Sequence, residues 1–215
     1  GTSDEQFIEK VDDHTIQGWM KCTPACGGWG NGDGKVEYTV FFYCCFDRSL
    51  ENYGVWSAGI PEGISRKNDA NDNPEYMRYI ENAVVVKSPQ QMNGKHLGFY
   101  LEFPTKQNEQ VLLKCGISFV STEGAKQNLK QEIPDWNFER IRQATRKLWN
   151  KALSVIKVKG SERDKIIFYT SLYHSMIDPR CASDIDGCYW GADKKIHQSK
   201  DFIYRTVFSG WDVFR

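Results

Sequence analysis

The chain reads as a mixed protein, β in its first part and α in its last. The expected architecture is an N-terminal antiparallel β-sandwich, a linker helix, and the beginning of a helical domain. Three observations predict this. Short apolar segments with a period of two, separated by turn residues, fill residues 1–120. The period then changes to three and four. Finally, the last part holds two helices only, which cannot close a core by themselves.

The strands come first. "HTIQGWM" (14–20) alternates, and "KVEYTVFFYCCF" (35–46) is a long strand. On it Val36, Tyr38, Val40, Phe42, Cys44 and Phe46 share one face, while Thr39, Phe41, Tyr43 and Cys45 share the other. A strand apolar on both faces must be covered on both, by a second sheet and by something further. "YIENAVVV" (79–86), "KHLGFYLEF" (95–103) and "QVLLKCGISFV" (110–120) continue the series, and "RKNDANDNPE" (66–75) reads as a polar loop. The helices follow. "PDWNFERIRQATRKLWNKALSVIKV" carries Phe138, Ile141, Leu148, Trp149, Ala152, Val155 and Ile156 on one stripe, with Asp135 as the expected N-cap. A second helix starts at the capping box Ser161-x-x-Asp164 and stops at Asp178-Pro179. The expected divisions are 1–120 for part of a sandwich, 121–160 for linker helices, and 161–215 for the start of a helical domain.

Composition narrows the function classes. Lys plus Arg and Asp plus Glu number 28 each, so no charge excess points to nucleic acid. No apolar run is long enough for a membrane span. The seven cysteines lack the spacing that completes a zinc site, and buried small apolar residues are their plainer reading. Cys44 and Cys45, adjacent on a strand, should face opposite ways. Cys22–Cys26 and Cys181–Cys188 could each close a short loop.

Three stretches could carry chemistry. "CGGWGNGDGK" (26–35) holds five glycines in ten residues around Trp29. It lacks a P-loop ending and precedes a strand, so it is either a flexible hairpin loop or a loop projecting Trp29 into a cleft. "SDIDGCYWGADKKIH" (183–197) opens like a calcium-binding EF-hand with Asp184 and Asp186. Lys195 stands where that loop needs a glutamate, so an Asx-turn is the better reading. In "TVFSGWDVFR" (206–215), Asp212 and Arg215 fall on one face if the segment is helical, and a local ion pair is the plain alternative. His14, His96, His174 and His197 are isolated from any nucleophile pattern.

The run "FYTSLYHSMIDPRCASDIDGCYWGADKKIH…DFIYRTVFSGWDVFR" resembles the start of the catalytic domain of glycoside hydrolase family 92, the calcium-dependent exo-α-mannosidases. The family pattern of an "FYtaLYHtm" helix, a "D-x-D-G-x-Y-x-G-x-D" loop and an "(F/Y)SxWDxxR" segment occurs in order, with "GGWG" (27–30) upstream. The resemblance implies that the helical part begins an (α/α)6 toroid and that the active site lies between sandwich and toroid. It implies hydrolysis of a terminal α-mannoside, α-1,2-linked, with inversion, on a mannose-terminated glycan. It places Gly28, Trp29, Asp212 and Val213 on the substrate, with Trp211 and Arg215 behind them. General acid, base and Ca2+ ligands are expected downstream of this chain, in the remainder of the catalytic domain. Export from the cell is the matching expectation for localisation. The alternative is a non-catalytic carbohydrate-binding or structural module.

Overall fold

The computed structural model describes residues 3–22, 37–64, 66–68, 71–177 and 180–205. In chain order its elements are β1 (Ser3–Asp12), β2 (Thr15–Cys22), β3 (Tyr38–Phe46), β4 (Asn52–Ser57), β5 (Lys67–Asn68), β6 (Asn71–Asp72) and α1 (Pro74–Glu81). There follow β7 (Val84–Lys87), β8 (Gln91–Gly94), β9 (Leu97–Glu102), β10 (Leu113–Ser118), α2 (Thr122–Glu132), α3 (Phe138–Leu153), α4 (Glu162–Ile177), β11 (Cys188–Trp190) and β12 (Ile196–Gln198).

Two antiparallel sheets face each other. One has the order β10-β3-β2-β1-β8 and the other β7-β4-β9. Side chains alternate along each strand, so one face of each sheet meets the other sheet. Ile8, Ile16, Cys44 and Phe46 from the large sheet meet Val55 and Leu97 from the small one, with Leu50 between. Phe42 stacks on Phe99 across the gap, centroids 6.3 Å apart. This is the expected sandwich.

The second apolar face of β3 is covered too, by helix α2. Phe41, Tyr43 and Cys45 lie beneath Ala125 and Leu129, which are 0% and 3% exposed. Cys44 and Cys45 do face opposite ways, one into the sandwich and one under the helix. Ser121 caps α2, its hydroxyl accepting from Gly124 N at 2.9 Å. Gly116 on β10 lets the helix approach, since a Cβ there would stand 2.8 Å from Leu129 Cβ.

Several expectations need correction. Residues 79–81, expected in a strand, are helical. Asn73 accepts from Glu75 N at 3.0 Å and Pro74 starts α1, a strong N-terminal signal that the following valines mask. Only 84–87 form the strand. The 66–75 stretch is not all loop, because β5 and β6 pair within it. Asp135 does not cap α3. Asn137 does, accepting from Arg140 N at 2.9 Å, while Asp135 accepts from Asn137 N and pairs with Arg140 at 2.8 Å. The helix ends at Leu153, so Val155 and Ile156 lie beyond it, 72% and 45% exposed. Ser161 does cap the start of α4, its Oγ accepting from Asp164 N at 3.2 Å, but the reciprocal half of the box differs: Asp164 Oδ2 accepts from the Ser161 hydroxyl at 2.7 Å. Asp178 and Pro179 lie outside the described residues. Helices α3 and α4 meet through an edge-to-face contact of Trp149 and Tyr173, centroids 4.6 Å apart.

Asp184 joins the later part of the chain to the sandwich. It is 7% exposed, and its carboxylate accepts from Ser118 Oγ at 2.7 Å and from Asn128 Nδ2 at 2.8 Å. Asn128 Oδ1 in turn accepts from Ile185 N at 2.8 Å. Ser118 Oγ also accepts from Val120 N and Ser121 N, at 2.9 and 3.2 Å. The strand end, the helix and the 183–187 turn thus share one hydrogen-bonded group. Gly124 leaves room for it, because a Cβ there would run into Asp184 Oδ2.

Leu129→Ala leaves a cavity between α2 and the sheet and should cost about 2–5 kcal/mol in urea unfolding. Retained stability would mean that α2 is not part of the core. Asp184→Ala should cost about 1–3 kcal/mol, because Ser118 and Asn128 lose their buried acceptor. Asp184→Asn should not rescue it, since its NH2 must face either the filled Ser118 oxygen or the Asn128 NH2. Burial raises the Asp184 carboxyl above its ordinary 3.8, against the two hydrogen bonds that lower it, with Asp186 adding to the rise. The folded state therefore holds this proton more tightly than the unfolded chain. Its stabilising effect is present at low pH and is lost as pH rises through the folded value. A carboxyl NMR titration of Asp184 with a midpoint at or below 3.8 would contradict this.

Candidate functional site

The residues expected on the ligand, Gly28, Trp29, Asp212 and Val213, and those behind them, Trp211 and Arg215, all lie outside the described residues. Their anchor points are described. Cys22 and Tyr38 are register partners at the ends of β2 and β3. The segment 23–37 therefore leaves and returns to the sheet at neighbouring points. At the other end, Cys181 bridges to Arg205, Ala182 N donates to Tyr204 O at 2.9 Å, and Tyr204 N donates to Ser183 Oγ at 2.8 Å. The chain thus re-emerges at Arg205 next to where the turn began.

Between these anchors stands the β11–β12 hairpin. Asp186 Oδ1 accepts from Cys188 N at 2.9 Å, the expected Asx-turn. Gly187 has φ +87°, and a side chain there would strike Ser199 O. Tyr189 stacks on Tyr204 with centroids 4.4 Å apart and an interplanar angle of 13°. His197 packs on its neighbouring side at 5.5 Å. Asp193 fixes the His197 ring through a 2.8 Å contact to Nε2, and that bond holds the Asp193 carboxyl below its usual range.

The hairpin meets the sandwich at the roots of β2 and β3. Trp190 and Lys194 join Trp19, Tyr38 and Phe41 around an open cavity of about 440 Å³, within the span of about 300–1,000 Å³ common for small-molecule sites. Trp19 and Phe41 are cross-strand partners, which sets them side by side. Glu37 sits at the rim, 2.9 Å from Lys21 Nζ and 3.9 Å from Lys194 Nζ. The Lys21 hydrogen bond is the main cause that keeps its carboxyl below the ordinary value, with Lys194 a smaller one. Aromatic faces beside charged hydrogen-bonding groups suit a ligand with both apolar and hydroxylated surfaces.

A second cavity, about 280 Å³, lies by Ser118, Asn128, Leu129, Cys181 and Asp184. Both oxygens of Asp184 are occupied there, so its role is to hold the fold. Among the described residues no three His, Cys, Asp or Glu gather to hold a metal ion. No helix among the described residues is long and apolar enough to cross a membrane.

Sequence reasoning missed the grouping of Trp19, Tyr38, Phe41 and Trp190. A usable signal existed for two of them, because alternation along 14–20 and 35–46 exposes Trp19 and Phe41 to pairing. Trp190 stood inside a loop whose only legible feature was its turn.

Comparison with known proteins gives a consistent result. The Glycosyl hydrolase family 92 N-terminal domain matches residues 1–118, and the Glycosyl hydrolase family 92 catalytic domain matches residues 124–215. A protein of Arthroderma benhamiae described as an uncharacterized secreted glycosidase is 32% identical over 125 residues, covering 55% of this chain and 15% of its own length. A family GH92 alpha-mannosidase from Bacteroides thetaiotaomicron superposes with TM-score 0.76 at 28% identity, covering 99% of this chain and 25% of that one. Its complex with mannoimidazole gives TM-score 0.76 at 29% identity, covering 99% and 24%. A family GH92 inverting mannosidase of the same organism, 18% identical with TM-score 0.74, shares the fold over 100% of this chain and 25% of its own. The chain spans about a quarter of the solved relatives and less of the curated one. Both family signatures, running almost end to end, make the conclusion plain: this chain belongs to glycosyl hydrolase family 92.

Proposed function

We propose that this chain supplies the sandwich and the first part of the catalytic domain of an exported exo-α-mannosidase. The observation that carries the reading is the superposition over 99% of the chain on a family GH92 alpha-mannosidase, also solved with mannoimidazole. The substrate is a mannose-terminated glycan, α-1,2-linked, and the reaction inverts the anomeric centre. Residues 1–120 form the sandwich, 121–160 the linker helices, and 161–215 the start of an (α/α)6 toroid. Exposed apolar residues on α3 and α4, such as Leu148 (69%) and Ile166 (65%), suit packing against the remainder of that domain.

Inversion needs a carboxylic acid at the leaving oxygen and a carboxylate activating water on the opposite face, about 6.5–9.5 Å apart. In this reading both come from outside the chain, as do the calcium ligands. Calcium, when bound, supplies a Lewis acid and a template for sugar hydroxyls. This chain's own residues bind and orient. Asp212 accepts from vicinal hydroxyls of the terminal mannose, and Arg215 orients Asp212 with Trp211 packed beside it. Gly28 and Trp29 close the ring's other side, and Val213 offers its backbone. Trp190, Trp19 and Tyr38 extend the wall towards the rest of the glycan.

The test is hydrolysis of α-1,2-mannobiose by the full-length protein, followed by NMR. β-Mannose as the first product, lost on chelation, is expected. Binding of mannose without turnover would favour the carbohydrate-binding or structural module. Two substitutions probe the wall. Asp212→Ala should lower kcat/KM by roughly thirty- to a thousand-fold, since about 2–4 kcal/mol of charge-assisted bonding is lost. Part of that loss belongs in kcat, because the ring distorts on reacting. Asp212→Asn should be milder, and neither should move the pH optimum. Wild-type kcat/KM or a displaced pH limb would remove Asp212 from this role. Trp190→Ala should raise KM about two- to tenfold on a longer glycan, with kcat nearly unchanged. An unchanged KM there would take Trp190 out of the wall.

A further inference from the structure

Cys44 and Cys115 are register partners on the paired strands β3 and β10. Their sulfurs stand 3.1 Å apart, with the Cys44 thiol donating to Cys115 Sγ. The two differ in setting. Cys44 is 7% exposed in the sandwich core, whereas Cys115 is exposed on β10, an edge strand of its sheet. Cys45 cannot compete, because it points to the other face, beneath α2. We infer that Cys44 and Cys115 form a reversible dithiol–disulfide pair that clamps the edge strand β10 to β3.

The asymmetry assigns the order of events. The hydrogen bond from Cys44 is the main cause that brings the Cys115 thiol down to about 7, against its burial. The same bond, followed by burial, pushes Cys44 up. The exposed sulfur therefore reaches the thiolate form, the one that attacks a disulfide, more readily than its buried partner. With an oxidised low-molecular-weight disulfide as co-reactant, Cys115 attacks one of its sulfurs and expels a thiolate, forming a mixed disulfide. Cys44 then loses its proton and attacks Cys115 Sγ, and the second small thiolate leaves. The pair is oxidised by two electrons, the small disulfide is reduced to two thiols, and the cysteine protons end on them. Directly opposed antiparallel residues hold their Cβ atoms about 4.5–5.5 Å apart. That is at the upper limit of what a disulfide spans, so the strands draw slightly together and the bond stays open to reduction.

The clamp bears on the site through β10. Its last residue, Ser118, holds Asp184 and receives the N–H groups that lead into α2. Fastening β10 to β3 suppresses fraying of an edge strand on which that seam depends.

The experiment is to incubate the native full-length protein with oxidised glutathione, block remaining thiols with iodoacetamide, and map peptides without reduction. Loss of two free thiols per chain and a Cys44–Cys115 cross-link are expected, both reversed by dithiothreitol. Amides of β10 should exchange more slowly in the oxidised form. Cys115→Ser and Cys44→Ser should each abolish the cross-link, and Cys45→Ser should leave it. Alkylation of both Cys44 and Cys115 after oxidation would overturn the proposal. So would glutathione persisting on wild-type Cys115, or a cross-link to Cys45. If Cys44→Ser fails to fold, the wild-type map with the Cys115→Ser control still decides it.

Discussion

The carboxylate of Asp184 is the group on which the arrangement depends. Removing an unpaired carboxylate from water costs several kcal/mol, so it stays ionised only where donors converge on it. Here they come from a strand end, Ser118, and from a helix, Asn128. The turn that carries Asp184 is itself tied to that helix by Ile185 N. None of the three pieces can shift without leaving a buried polar group unpaired. Desolvation still outweighs the two bonds in setting the carboxyl's proton affinity. The interaction therefore secures geometry more than it adds net stability.

Helix α2 is what makes that possible. It covers Phe41, Tyr43 and Cys45 with one side and offers Asn128 from another. Strand β3 consequently has no solvent-facing side along its centre, although it belongs to an antiparallel sheet. A one-residue slip of β3 would exchange two different apolar sets, one fitted to a sheet and one to a helix. The register is thus specified from both faces. The same register brings Thr15 opposite Cys45 and Trp19 opposite Phe41, so the core and the aromatic wall are consequences of a single alignment.

How far this was legible in the sequence differs by element. The sandwich and the two-faced strand were readable, because a period of two with apolar residues at both parities has few other solutions. The cap at Ser161 was readable from spacing. Helix α1 was not, since three valines at 84–86 dominate the window and Asn73-Pro74 lies in a polar run. Helix α2 was not singled out either, because Gly124 and many polar residues leave it only Ala125 and Leu129 as a buried stripe. Asp184 could not be found locally. Its burial arises from Ser118 and Asn128, 66 and 56 residues away, and an acidic turn residue carries no mark of that. The proposed ligand-contact residues rested on resemblance to a family, and the residues alone favoured a plain hairpin loop around Trp29 and left a local ion pair at Asp212 as no weaker a reading.

A last step joins the frame to the site. Sugar recognition asks several short segments to reach one point with small positional error, since a displacement of about 1 Å can cost a hundredfold in rate. In the proposed reading, two of those segments begin at fixed places. The first starts and finishes at the paired residues Cys22 and Tyr38, so the ladder has already met the entropy of closing that loop. The second starts from Arg205, held against Cys181 and followed back through Tyr204 to Ser183. Ser183 adjoins Asp184, and Asp184 is bound to the helix that covers β3. A short chain of contacts therefore runs from one anchor to the other, through buried side chains and paired strands. Each link is a hydrogen bond or a packed surface with one good arrangement. The sandwich acts as the ruler against which the opening of the catalytic domain is placed.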